Sequence, residues 1–94
     1  MATLAMAVPV KEGKAAHLRA VRDETLGPRK QEFEADQKRL GITREIWYLQ
    51  SSPMGDLLTV WIESDDPTGA LKAFAEDREP GAIWLKEQML DISG

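Results

Sequence analysis

The 94-residue sequence contains no cysteine, which removes disulfide staples, zinc fingers and thiol catalysis together. Its single histidine, His17, excludes a multi-histidine metal centre within one subunit, so no metal site is expected. Nothing in the chain approaches the roughly 18 consecutive apolar residues of a membrane-spanning helix. Positive charge is scarce: 12 Lys and Arg stand against 16 Asp and Glu, and a net charge of -4 gives little drive toward nucleic acids or anionic membranes. No Gly-rich phosphate loop, nucleophile elbow or metal-ligand spacing occurs, and no cofactor is expected. Residues 1–10 are apolar but have no basic residue before them, unlike a secretory signal, so the expected compartment is the cytoplasm.

What is present suits a folded, soluble chain: 43% hydrophobic and 30% charged residues. The length fits a single domain, residues 1–94, that buries roughly two thirds of the surface its unfolded chain exposes. One such subunit is small for a large internal cavity, and two copies can enclose what one cannot.

Hydrophobic spacing changes period along the chain. Leu4, Met6, Val8 and Val10 alternate with small residues, which predicts a first strand. From Lys11 to about Leu26 the spacing is helical, with Ala15, Leu18, Val21 and Thr25 on one stripe. Gly27-Pro28 interrupts this helix, and a second stretch follows with Phe33, Gln37 and Leu40 inward, Glu32, Glu34, Asp36, Lys38 and Arg39 on a solvated face, and Gly41 as a C-cap. Residues 44–51 and 57–63 are rich in β-branched and aromatic types and read as a hairpin. Asp66 before Pro67 predicts a capped helix start with Leu71, Phe74 and Ala75 inward. After the break at Glu79-Pro80-Gly81, a last helix is expected from about Ala82 to Ile92, carrying Leu85, Met89 and Ile92 with Trp84 beside them. The order is βαββα with both helical segments broken: an α+β chain with most of the ferredoxin-like plan, helices on one face of an antiparallel sheet.

The turn Ser52-Pro53-Met54-Gly55-Asp56 predicts a hairpin register that pairs Ser52 with Asp56. Trp47 then lies opposite Trp61, Leu49 opposite Thr59 and Glu45 opposite Glu63, all on the face away from Leu58, Val60 and Ile62. A slip of one residue replaces Trp47 on that face by Tyr48 and Gln50 and leaves Trp61 where it is. Either way the second face carries apolar groups that no helix covers, so a homodimer packed face to face is expected.

The stretches Arg39-Leu40-Gly41-Ile42-Thr43-Arg44-Glu45, Trp47-Tyr48-Leu49-Gln50, Pro53-Met54-Gly55-Asp56 and Trp84-Leu85-Lys86-Glu87-Gln88 resemble a small bacterial branch of the dimeric α/β-barrel superfamily. Antibiotic-biosynthesis monooxygenases, stress-responsive proteins and small polyketide cyclases share its plan. The resemblance covers most of residues 27–94 and implies ferredoxin-like subunits that pack sheet to sheet, each with a pocket between sheet and helices. It implies little about the reaction, because such a fold hosts several chemistries. The chain stops at Ile92-Ser93-Gly94, where members of the superfamily continue into a closing strand, so that strand is expected to be absent. The monooxygenases use an Asn and Trp constellation, and this sequence has no Asn; their residue roles do not transfer.

Few side chains qualify as chemical groups. His17 is either a general base or a helix-surface histidine without a role. Glu63, with Glu45 opposite it, is an acid/base candidate, because two carboxylates facing each other are unfavourable when both are ionised; the other reading is two solvated side chains at the hairpin's wet end. Trp47 and Trp61 form either an aromatic platform for a flat ligand, with Thr59 supplying a hydrogen bond, or the core of the dimer interface. Trp84 reads as a core or pocket-lid residue. Two functions follow: a cofactor-independent oxygenase or cyclase acting on a small aromatic or polyketide-like molecule, or a non-catalytic ligand-binding or protein-interaction module.

Overall fold

The computed structural model describes residues 1–94 as a mixed α+β fold of three strands and four helices. The order is β1 (Ala2–Val10), α1 (Ala15–Leu26), α2 (Lys30–Leu40), β2 (Ile42–Ser52), β3 (Gly55–Ser64), α3 (Pro67–Glu76) and α4 (Pro80–Ser93). The strands form one antiparallel sheet in the order β1-β3-β2. β3 is central because Leu58, Val60 and Ile62 give it the most apolar face in the chain, and these residues end up 1%, 6% and 1% exposed. Leu18 and Val21 of α1 and Leu85 and Ile92 of α4 pack over them.

Local chemistry sets the breaks. The first helix starts at Ala15 rather than Lys11, because Gly13 turns the chain at φ +79° before helical hydrogen bonding begins. Gly41, at φ +76°, closes α2 in the left-handed conformation and donates its N–H to the carbonyls of Gln37 and Lys38. The Asp66 side chain accepts from the Gly69 N–H at 3.1 Å and caps α3. α4 begins at Pro80, two residues earlier than the spacing suggests, since proline lacks only an N–H that the first turn leaves unpaired. Gly81 is buried there; a Cβ would collide with Asp36 Oδ2 and Glu32 Cγ on α2, so glycine lets the two helices approach.

The hairpin register differs from the expected one. Ser52 pairs with Gly55, leaving only Pro53 and Met54 in the loop. The Ser52 Oγ accepts from the Met54 N–H at 3.2 Å and donates to the Gly55 carbonyl at 2.9 Å, which ties this tight turn together. Every β2 residue thereby moves one step. Trp47 lies opposite Val60, Leu49 opposite Leu58 and Glu45 opposite Ile62, all on the helix-covered face. The open face instead receives Arg44 opposite Glu63, Ile46 opposite Trp61, Tyr48 opposite Thr59 and Gln50 opposite Leu57. A bulge at Thr43, between the Ile42 and Arg44 pairings, returns Ile42 to the covered side.

Candidate functional site

Between the covered face and the helices lies a cavity of about 260 Å³, and 13 of its 21 lining residues are hydrophobic. Met6, Val8, Val60 and Ile62 supply the sheet wall, Phe33 and Leu40 come from α2, and Leu71, Phe74, Trp84 and Met89 come from α3 and α4. The volume is just below the range of about 300–1,000 Å³ usual for drug-sized ligands, which suits a smaller molecule.

Its polar groups come mostly from one helix face. Arg29, Glu32, Asp36 and Gln37 line the cavity at successive turns of α2 and its entrance. The Arg29 guanidinium lies 4.1 Å from the centroid of the Trp84 ring and donates through Nη1 to Glu32 Oε1 at 2.8 Å, so stacking and an ion pair fix it in one position. Its Nε is buried with no hydrogen-bond partner in the protein, and so is the Oγ1 of Thr25 at the end of α1. Leaving a buried polar group unpaired costs about 1–3 kcal/mol, so two among the residues lining one cavity are conspicuous.

Across the cavity, Gln37 Nε2 donates to Glu45 Oε1 at 3.1 Å, and the Trp47 indole N–H donates to Glu45 Oε2. Two neutral donors therefore hold this carboxylate at the cavity wall, and no lysine or arginine pairs with it. Asp36 is held differently. Arg39 donates through Nη1 to Asp36 Oδ1 at 2.7 Å and through Nη2 to Asp77 Oδ2, joining α2 to the α3–α4 link. Burial pushes the Asp77 carboxyl up, but the Arg39 hydrogen bond, the Glu79 N–H and the charges of Arg39 and Lys86 outweigh it and leave it below the ordinary range. The Arg39 guanidinium is raised above its usual value chiefly by its hydrogen bonds to these two carboxylates.

The sequence candidates divide between three places. Trp47 and Trp84 line the cavity. Trp61 and Thr59 project from the opposite face of the sheet, where the Arg44 guanidinium stands 5.5 Å from the Trp61 ring centroid. The expected platform of Trp47 with Trp61 does not form, because the tight turn places the two rings on opposite faces. Glu63 faces Arg44 and Thr3, an opposite charge and a hydroxyl, so the expected Glu45–Glu63 pair is absent as well.

His17 sits between α1 and α4, away from the cavity. Its Nδ1 lies 2.7 Å from Asp91 Oδ2 and its Nε2 2.7 Å from Gln88 Oε1, so both ring nitrogens are engaged. Lys14 Nζ also donates to Asp91, at 3.0 Å, and these two hydrogen bonds hold the Asp91 carboxyl below its ordinary range. A carboxyl lowered by folding stabilises the fold fully above its unfolded pKa of about 3.9 and loses that contribution as pH falls through the lower, folded value. Asp91→Asn should therefore reduce urea stability near neutral pH, with the gap to the native chain closing in strong acid. A gap that stays constant down to pH 2 would rule this linkage out.

Sequence reasoning named Trp47, Trp84 and Gln37 but gave Glu32 and Asp36 to a solvated face and passed over Arg29. One signal was available: Gln37 on an otherwise apolar stripe between Phe33 and Leu40 marks a helix that faces something polar. No three His, Asp or Glu side chains converge as a metal site. No helix is long and apolar enough to cross a membrane. Compared with known proteins, the chain matches no family model and no curated protein.

Proposed function

We propose that this chain is a ferredoxin-like subunit of the dimeric α/β-barrel type that takes up a small, largely apolar molecule, aromatic or polyketide-like, between its sheet and its helices. The observation that carries the reading is the cavity: an apolar hollow of about 260 Å³ with its charged groups confined to α2, its entrance and Glu45. Strand order adds support. In the order β1-β3-β2, β1 and β2 run parallel with β3 antiparallel between them, the split βαβ arrangement on which a ferredoxin-like plan is built.

In its enzymatic form the proposal is a cofactor-independent oxygenase or cyclase, in which the cavity holds an easily deprotonated substrate against a carboxylate. Glu45 is better placed than His17 or Glu63 for that proton, because it alone of the three lines the cavity. Uptake without chemistry is the second reading, and the engagement of both His17 ring nitrogens favours it. In both readings a second copy covers the open face of the sheet, where Tyr48 and Leu57 are 59% and 42% exposed beside Trp61.

The three tryptophans provide the test. Naphthalene titrated into ¹⁵N-labelled protein should shift the indole N–H signals of Trp47 and Trp84 saturably and leave that of Trp61 in place. The absence of any shift up to the solubility limit, or a shift of Trp61 alone, would overturn the pocket assignment.

A further inference from the structure

From the two unpartnered polar atoms and the charges around them, we infer that the cavity selects a neutral, elongated apolar molecule with a hydrogen-bond acceptor at one end and a donor at the other. A hydroxyaryl aldehyde or ketone is the simplest member of that class. The inference rests on the pocket reading above and adds the polarity of the ligand to it.

The acceptor end is set by Arg29 and Thr25. Arg29 is already fixed by Glu32 and by the Trp84 ring, yet its buried Nε–H has no acceptor in the protein. Thr25 also lines the cavity, and its Oγ1 is buried and equally unpartnered. An N–H and an O–H that nothing in the chain satisfies call for an oxygen that only accepts, such as a carbonyl. The donor end is set by Glu45. An ionised carboxylate offers about four acceptor positions, and Gln37 and Trp47 fill two of them. What remains accepts a ligand O–H or N–H.

Spacing makes the two ends distinct. Arg29 and Gln37 stand eight residues apart along α2, about 12 Å of helix axis, and Gln37 is the side chain that holds Glu45. Charge then excludes an anion. Glu32 neutralises Arg29, Asp36 shares Arg39 with Asp77, and the Glu45 carboxylate has no cationic partner, so the cavity wall is net negative. A carboxylate ligand would meet it in surroundings of low dielectric, whereas a neutral hydroxyl would be bound by it.

The test uses four probes at about pH 6, where a phenol of ordinary pKa is neutral: 6-hydroxy-2-naphthaldehyde, 2-naphthaldehyde, naphthalene and 2-naphthoate. Affinities are read from the Trp47 and Trp84 indole signals. 6-Hydroxy-2-naphthaldehyde should bind tightest and 2-naphthoate weakest, with each matched polar end improving affinity about fivefold to tenfold over naphthalene. Arg29→Lys, which keeps the charge but removes the Nε–H, should abolish the gain from the aldehyde and leave the gain from the hydroxyl. Thr25→Val should reduce the aldehyde gain without touching the ion pair, and so serves if Arg29→Lys perturbs folding. Glu45→Gln should diminish the gain from the hydroxyl and relieve the penalty on 2-naphthoate. Naphthalene binding unimproved by either polar group, or 2-naphthoate binding best, would overturn this selectivity while leaving the pocket in place. Failure of all four probes would overturn the pocket and the selectivity together.

Discussion

Leu58→Ala should remove about 3 kcal/mol of folding stability and lower the melting temperature by roughly 12–24 °C. Leu58 is 1% exposed at the centre of the middle strand, with Val8 opposite it on β1 and Leu49 opposite it on β2. Leu18 and Val21 of α1 belong to the same buried cluster. Truncation removes the transfer free energy of the lost methyls and leaves a void that a sheet paired on both sides cannot collapse around. For a domain whose total stability is on the order of 5–15 kcal/mol, that is a large share. Urea melts should show a lower midpoint at unchanged slope. Leu90→Ala, at a site 69% exposed on α4, should change stability by less than about 0.5 kcal/mol. The hairpin register can be checked in the same experiment. Leu49→Ala should also destabilise, and its effect should be non-additive with that of Leu58→Ala, because the two side chains touch across the ladder. Additive losses, with Leu49→Ala near zero, would mean that Leu49 lies on the open face after all.

Trp61→Ala should weaken self-association by about 30-fold or more while leaving the subunit folded, as follows if a second copy covers the open face. Trp61 stands mid-face between Ala5 on β1 and Ile46 on β2, with Tyr48, Thr59 and Leu57 further along and the Arg44–Glu63 pairing toward one end. Small residues on β1, namely Thr3, Ala5 and Ala7, keep that side of the face low and allow a second sheet to approach. An aromatic side chain at the centre of an apolar patch, with charged groups toward its edge, is the arrangement in which one truncation costs most of the affinity. Sedimentation velocity over a range of micromolar concentrations should show the native chain as a dimer and the variant as a folded monomer with unchanged circular dichroism. A native chain that sediments as a monomer at the highest concentration would remove the dimer from the proposal. Ligand uptake in the cavity would survive that result, because the cavity lies on the other face.

Much of the fold could be read from the chain because it rests on local rules. The period of two in β1, the helical stripes of α1 and α2, the Gly41 cap and the Asp66-Pro67 helix start all depend on residues within a few positions of one another. The ends shifted by two to four residues where a single glycine or proline decided the matter, as at Gly13 and Pro80.

The site was less legible because its members are distant in sequence. Trp47 and Trp61 look equivalent in the chain, both in aromatic strands, and one residue of turn length decides that one lines the cavity and the other the open face. Glu32 and Asp36 look solvated because they are charged; ion pairs three residues away along the helix, to Arg29 and Arg39, make their partial burial tolerable, and that burial needs α4 to dock on α2, where Gly81 lies against both side chains.

By itself, then, the sequence determined the class of the fold, the helix breaks and the apolar face of β3, since periodicity and turn chemistry act over a few residues at a time. Tertiary structure decided which face each β2 side chain occupies, that His17 clamps two helices instead of facing the cavity, and that Arg29, Thr25 and Glu45 line one cavity. Those outcomes depend on strand register and helix docking, where contacts between residues far apart in the chain set the energy.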